Sequence, residues 1–178
     1  MASQEIFTYP SLVKIRRESS RFHGSRLLFE GSALRVPAGR TASRIAGSER
    51  ENVRHLVIPE GVREIEALAF EKCGNLETVS LPSTLRTISY GAFQECRKLR
   101  EIIIPEGVTG VGGYAFQSCK NLERAVLPDS IKGIGKGAFS GCSGLQSVLL
   151  PSSWRAPEKH RLLGMAGAQI PAKVRIFR

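Results

Sequence analysis

Between residues 53 and 151 the apolar and polar positions repeat with a step of 23. Pro59, Pro82, Pro105, Pro128 and Pro151 keep that step, and so do Phe70, Phe93, Phe116 and Phe139. Cys73, Cys96, Cys119 and Cys142 form another column, and Leu76, Leu99, Leu122 and Leu145 a fourth. Self-similarity at a fixed period marks a stacked repeat. The unit at 76–98, LETVSLPSTLRTISYGAFQECRK, opens with Val79 and Leu81 separated by one polar residue. That alternation predicts a short strand with one face buried. Pro82 ends its ladder, because proline has no N–H to donate. Apolar residues follow at 85, 88, 92, 93 and 96, a roughly helical spacing that allows a turn or two of helix. Strands of successive units stack in parallel about 4.8 Å apart. No unit can bury its face alone, so each needs neighbours. The predicted fold class is an α/β repeat solenoid with short parallel strands on its concave side.

The motif resembles the BspA-like leucine-rich repeat, IPxxVxxIxxxAFxxCxxL. It stands as IPEGVREIEALAFEKCGNL at 58–76 and LPSTLRTISYGAFQECRKL at 81–99. It continues as IPEGVTGVGGYAFQSCKNL at 104–122 and LPDSIKGIGKGAFSGCSGL at 127–145. The resemblance implies a curved solenoid and a binding or adhesion module, a role many members play at cell surfaces.

KGIGKGAFSGC at 132–142 looks like a phosphate loop, with glycines at 133, 135, 137 and 141 and Lys136 among them. Such loops use glycine to bring backbone N–H groups to phosphate oxygens. In register, however, Gly133 falls in a column with Glu64, Thr87 and Gly110, and Gly135 with Glu66, Ser89 and Gly112. Gly137, not Ser or Thr, follows Lys136. The glycines therefore read as punctuation of a loose return segment.

The four cysteines form a line, one per repeat, whereas metal ligands come as close pairs around one ion. Adjacent rungs bring them about 5 Å apart, within reach of a disulfide. In a core column they behave as small hydrophobes, so buried free thiols are the first reading. Disulfides and a metal site are its rivals. The histidines are His23, His55 and His160, and no HExxH or Gly-x-Ser-x-Gly motif occurs. Carboxylates such as Glu64 and Glu66 sit in variable columns, not in a fixed buried pair suited to acid–base work. The expectation is a protein that is not an enzyme and uses no cofactor.

Charge divides the 178 residues into three parts. The formal net charge is +10. Residues 1–52 carry nine Lys and Arg against five acidic residues, 53–151 eleven against ten, and 152–178 six against one. The repeats at 53–151 are thus nearly neutral between basic ends. LRVPAG at 34–39 reads as a degraded strand-proline, making 1–52 an N-terminal cap with a degenerate repeat. Residues 152–178 read as a C-terminal cap: a short helix near Pro157, then KVRIFR as a last strand with Val174 and Ile176 inward. Solenoid ends need such atypical material. KIRRESSR at 14–21 is the densest basic run but lacks interleaved aromatics for stacking on single strands. No apolar run approaches the roughly 18 residues of a membrane span. The start has no basic segment followed by an apolar one, which reads as cytoplasmic; a cell-surface site would go with a longer parent chain.

Outward positions of the concave strands form columns. Arg35, Val57, Ser80, Ile103, Val126 and Leu149 make one, with Arg175 placed at its end. His55, Thr78, Glu101, Arg124, Ser147 and Lys173 belong to the next. Arg54, Glu77, Arg100, Glu123 and Gln146 alternate in sign, which reads as a surface ladder. Strand propensity explains exposed Ile103 and Val126, and Leu149 less well. An apolar strip rimmed by charge can also mark a protein contact. The expected function is non-catalytic recognition of a protein partner on the concave sheet. Ile103, Val126, Leu149, Glu101 and Arg124 are its expected contacts. The alternatives are adhesion at a cell surface, and electrostatic binding of nucleic acid or an anionic membrane through the basic ends.

Overall fold

The computed structural model describes residues 47–151 without a break, together with 21–22, 25–26, 28–30, 32–36, 41–42, 45 and 175–177. Strands β1 (Arg21–Phe22) and β2 (Ser25–Arg26) pair antiparallel. β3 (Leu28–Glu30) pairs antiparallel with β4 (Ala33–Arg35), and β4 starts the concave wall. From there the chain alternates between two walls. The concave wall takes β6 (His55–Val57), β8 (Thr78–Ser80), β10 (Glu101–Ile103), β12 (Arg124–Val126), β14 (Ser147–Leu149) and β15 (Arg175–Phe177). The return wall takes β5 (Thr41–Ala42), β7 (Glu64–Ile65), β9 (Thr87–Ile88), β11 (Gly110–Val111) and β13 (Gly133–Ile134).

The return wall is one continuous parallel sheet, β13-β11-β9-β7-β5. The concave wall is two sheets, β3-β4-β6-β8 and β10-β12-β14-β15. Each prolinе-ended strand turns in the same way: the carbonyls of Pro59, Pro82, Pro105 and Pro128 accept from the amide three residues on, at 3.1–3.4 Å.

The helical turn expected in the return segment is replaced by a two-residue strand and a run of turns. The only helix among the described residues is the four-residue α1 (Gly47–Arg50), before the repeats. The reason lies in where the backbone donors go. Phe93 N donates to Ala115 O of the next rung at 2.7 Å, and Glu95 N to Gln117 O at 2.8 Å. Donors satisfied between rungs have no need of an i−4 carbonyl. Gly91 and Glu95, at φ 58° and 59°, also turn the chain out of the helical region. The fold is a parallel-strand β-solenoid, not α/β. The helix expected near Pro157 and the basic run at 14–21 lie outside the described residues, apart from Arg21 in β1.

The core is the set of repeating columns. Phe70, Phe93, Phe116 and Phe139 stack with centroids 5.3–5.4 Å apart and ring planes within 18° of parallel. The four thiols are free and buried. Cys96, Cys119 and Cys142 donate to the carbonyls of Phe70, Phe93 and Phe116 at 3.1–3.3 Å. Burial pushes the Cys96 thiol well above its usual pKa. Hydrogen bonding to Cys142, then burial, does the same for Cys119. All four belong to the packed core.

Glu60 links two rungs. Its carboxylate accepts from Ser83 N at 2.9 Å, Ser83 Oγ at 3.1 Å and Thr84 N at 3.3 Å. The Ser83 amide above all holds the Glu60 carboxyl below its ordinary pKa. A carboxylate with a depressed folded-state pKa stabilises the fold above its unfolded pKa. That stability is lost as pH falls through the folded value. Glu60→Gln should therefore lower the melting temperature at pH 7, and the gap from wild type should close in acid. A gap that is unchanged in acid would assign the effect to something other than the charge.

Candidate functional site

β10, β12 and β14 are held in register by parallel ladders that pair Ile103 with Val126 and Val126 with Leu149. The middle residues Ile102, Ala125 and Val148 point inward and are buried. Period-2 alternation then turns their neighbours outward. Glu101 and Arg124 are cross-strand partners, and the Arg124 guanidinium donates to the Glu101 carboxylate. The expected contacts Ile103, Val126, Leu149, Glu101 and Arg124 thus share one continuous patch of the concave wall.

Their exposure is uneven. Ile103 is 54% exposed, whereas Val126 and Leu149 are half-buried. Val126 lies between two closed ladders. Ile103 has a closed ladder on one side only, since β8 and β10 are not paired. The strip is therefore one open isoleucine backed by two half-covered aliphatics, not three equally exposed residues.

The last strand is displaced by two from its expected register. Arg175 lies opposite Ser147, Ile176 opposite Val148 and Phe177 opposite Leu149. The apolar column is therefore continued by Phe177, and Arg175 joins the column of Ser147 and Arg124. Phe177 was missed because a shift of two keeps the same residues inward. The signal for it lay in matching Ile176 to Val148.

The alternating charge column makes one ion pair among the described residues, Arg54 to Glu77 at 2.9 Å. Glu77 and Arg100 stand across the unpaired junction and do not join. His55 Nδ1 lies 2.8 Å from Thr78 Oγ1 in the adjoining column. Exposed pairs of this kind add little stability.

Amides of the glycine-rich stretch are committed to backbone carbonyls. Gly135 N donates to Val111 O at 2.7 Å, Ala138 N to Gly135 O at 3.2 Å and Ser140 N to Gly137 O at 2.9 Å. Among the described residues no group of three His, Cys, Asp or Glu side chains is placed to hold a metal. None of their helices is long and apolar enough to cross a membrane.

Short parallel strands, a 23-residue rung and a stacked phenylalanine column define a leucine-rich repeat solenoid. More narrowly, the chain belongs to the BspA type leucine rich repeat family, whose profile matches residues 48–160 in six copies. It is similar to the crystal structure of a leucine rich repeat protein of T. pallidum. The two share 34% identity over 68% of this chain and 59% of that one, with a TM-score of 0.64. It is also similar to a leucine rich cell surface protein of Faecalibacterium prausnitzii. There the identity is 27%, over 78% of this chain and 36% of that one, with a TM-score of 0.66. The chain thus spans less than two thirds of either protein's length. No curated protein matches it in sequence.

Proposed function

We propose that this chain is a non-catalytic recognition module that binds a protein partner on its concave wall. The observation that carries the proposal is the in-register column Ile103, Val126 and Leu149, with the exposed isoleucine at its end and the Glu101–Arg124 pair beside it. An aliphatic strip rimmed by an ion pair suits a partner offering an apolar side chain flanked by polar groups. The ion pair would set orientation more than affinity. Adhesion at a cell surface is a second form of the same reading, supported by the likeness to the Faecalibacterium cell surface protein.

The test is affinity capture from the source organism by wild type and by an Ile103→Asp, Val126→Asp, Leu149→Asp variant whose fold is shown intact by circular dichroism. A specific protein should bind the wild type and be lost from the variant. Equal capture by both would remove the strip from consideration. If the capture is nucleic acid or anionic lipid and falls steeply with salt, the basic ends are the binding surface instead.

A further inference from the structure

We infer that the concave wall is divided into two blocks, β3-β4-β6-β8 and β10-β12-β14-β15, each holding one clamped pair of rungs, and that a hinge between them opens between β8 and β10. The first pair is 55–62 with 78–85, the second 101–108 with 124–131. Within each pair the backbone ladder is closed. Ile58 N donates to Ser80 O and Ile104 N to Val126 O, both at 3.0 Å. Glu77 N donates to Arg54 O and Glu123 N to Arg100 O, both at 2.7 Å. Between the pairs β8 and β10 form no ladder, and Leu81 N, Arg100 N and Glu101 N make none of the cross-rung bonds that their equivalents make. Val79 and Leu81 are half-buried there, while Leu56, Ile58, Ile102 and Ile104 are buried.

Side chains follow the same division. In the first pair Glu60 clamps Ser83 and Thr84, and Thr84 Oγ1 accepts from Gly61 N at 2.9 Å and donates to Val62 O at 2.8 Å. In the second pair Glu106 accepts from Asp129 N at 3.1 Å. Ser130 Oγ accepts from Gly107 N at 2.9 Å and donates to Val108 O at 2.8 Å. The pattern comes from alternation: Pro-Glu-Gly at 59–61 and 105–107, Pro-Ser-Thr at 82–84 and Pro-Asp-Ser at 128–130. At the junction between the pairs the roles reverse. Ser83 stands where a clamping glutamate is needed, and Gly107 where a hydroxyl is needed. The ion pairs Arg54–Glu77 and Glu101–Arg124 also lie within pairs, not between them.

The return side of the same junction is intact, which makes it the hinge line. β9 and β11 pair, and Gly112 N donates to Ile88 O at 2.7 Å. Gln94 Nε2 donates to Gln117 Oε1 at 2.8 Å, Tyr90 meets Tyr114 edge-on and Phe93 stacks on Phe116. A wall held at one edge and unbonded at the other can change curvature by local opening, without breaking its core. Ile103, Val126 and Leu149 all belong to the part beyond the hinge and would move together.

Native-state hydrogen exchange on the unaltered chain tests this. The amides of Val79, Leu81, Arg100, Glu101 and Ile103 face the junction. They should exchange about tenfold or more faster than their equivalents Leu56, Ile58, Glu123, Arg124 and Val126. Equal protection would mean that the ladder is closed in solution and would overturn the proposal. A Ser80→Cys, Ile103→Cys pair separates a moving hinge from a fixed gap, with Val57→Cys, Ser80→Cys at a closed junction as control. The proposal expects the disulfide to form at the hinge and to slow exchange of those amides. A disulfide that forms in the control alone would show a rigid gap and also overturn the hinge.

Discussion

Phe93→Ala is expected to lower the free energy of unfolding by about 3–5 kcal/mol. The ring is fully buried and stacked on both sides, at 5.4 Å from Phe70 and 5.4 Å from Phe116. Its removal leaves a gap that neither neighbour can fill, because each is fixed by its own rung. Dispersion contacts on both ring faces are lost together with the burial of the ring itself. Position adds to the effect. In a solenoid each rung is stabilised mainly by its neighbours, so a defect in the middle uncouples the two ends. Phe93 also lies on the return side of the proposed hinge, where the two pairs of rungs are held together. Urea unfolding should show a lower midpoint and a shallower slope, the sign of lost cooperativity. A loss below about 1 kcal/mol would show that the neighbouring rungs collapse onto the space and that the spine is not a rigid stack.

Gly112→Ala should cost about 1–3 kcal/mol, the usual penalty for overpacking. A Cβ at this position would stand 2.5 Å from both Ser89 C and Tyr90 N. Both are backbone atoms of the neighbouring rung, so no side chain can swing aside. The rungs would have to part at the point where Gly112 N bonds Ile88 O. Gly133→Ala is the control, since a Cβ there meets nothing within 4 Å and should change stability by less than about 0.5 kcal/mol. Thermal melts of the two variants make the comparison. A Gly112→Ala protein as stable as Gly133→Ala would mean that the return wall can spread freely at this rung.

Gly112 also shows how far the sequence could be read. Its column holds Ser89 and Glu66, so the column by itself admits a side chain. Whether one fits depends on how closely two rungs approach, and that distance is not written in either rung alone. The return segment misled for a related reason. Residues 85, 88, 92, 93 and 96 keep a helical spacing because all five must reach the core. The spacing says which residues are buried but not whether their backbone bonds run within the segment or to the next rung.

The sequence by itself determined the repeat, the buried columns and the inward and outward faces of each strand. Every one of these follows from a residue's place within its own unit, and four copies of the unit repeat the message. The tertiary structure alone decided what happens between units. It placed Phe177, not Arg175, beside Leu149, because a two-residue shift leaves the pattern of burial unchanged. It left Ile103 more open than Val126, because the ladder between β8 and β10 is unbonded. Hydrophobic periodicity records which side of a strand meets the core. It carries no term for the spacing, register or bonding of one rung against the next, and on the concave wall those three set the shape of the candidate site.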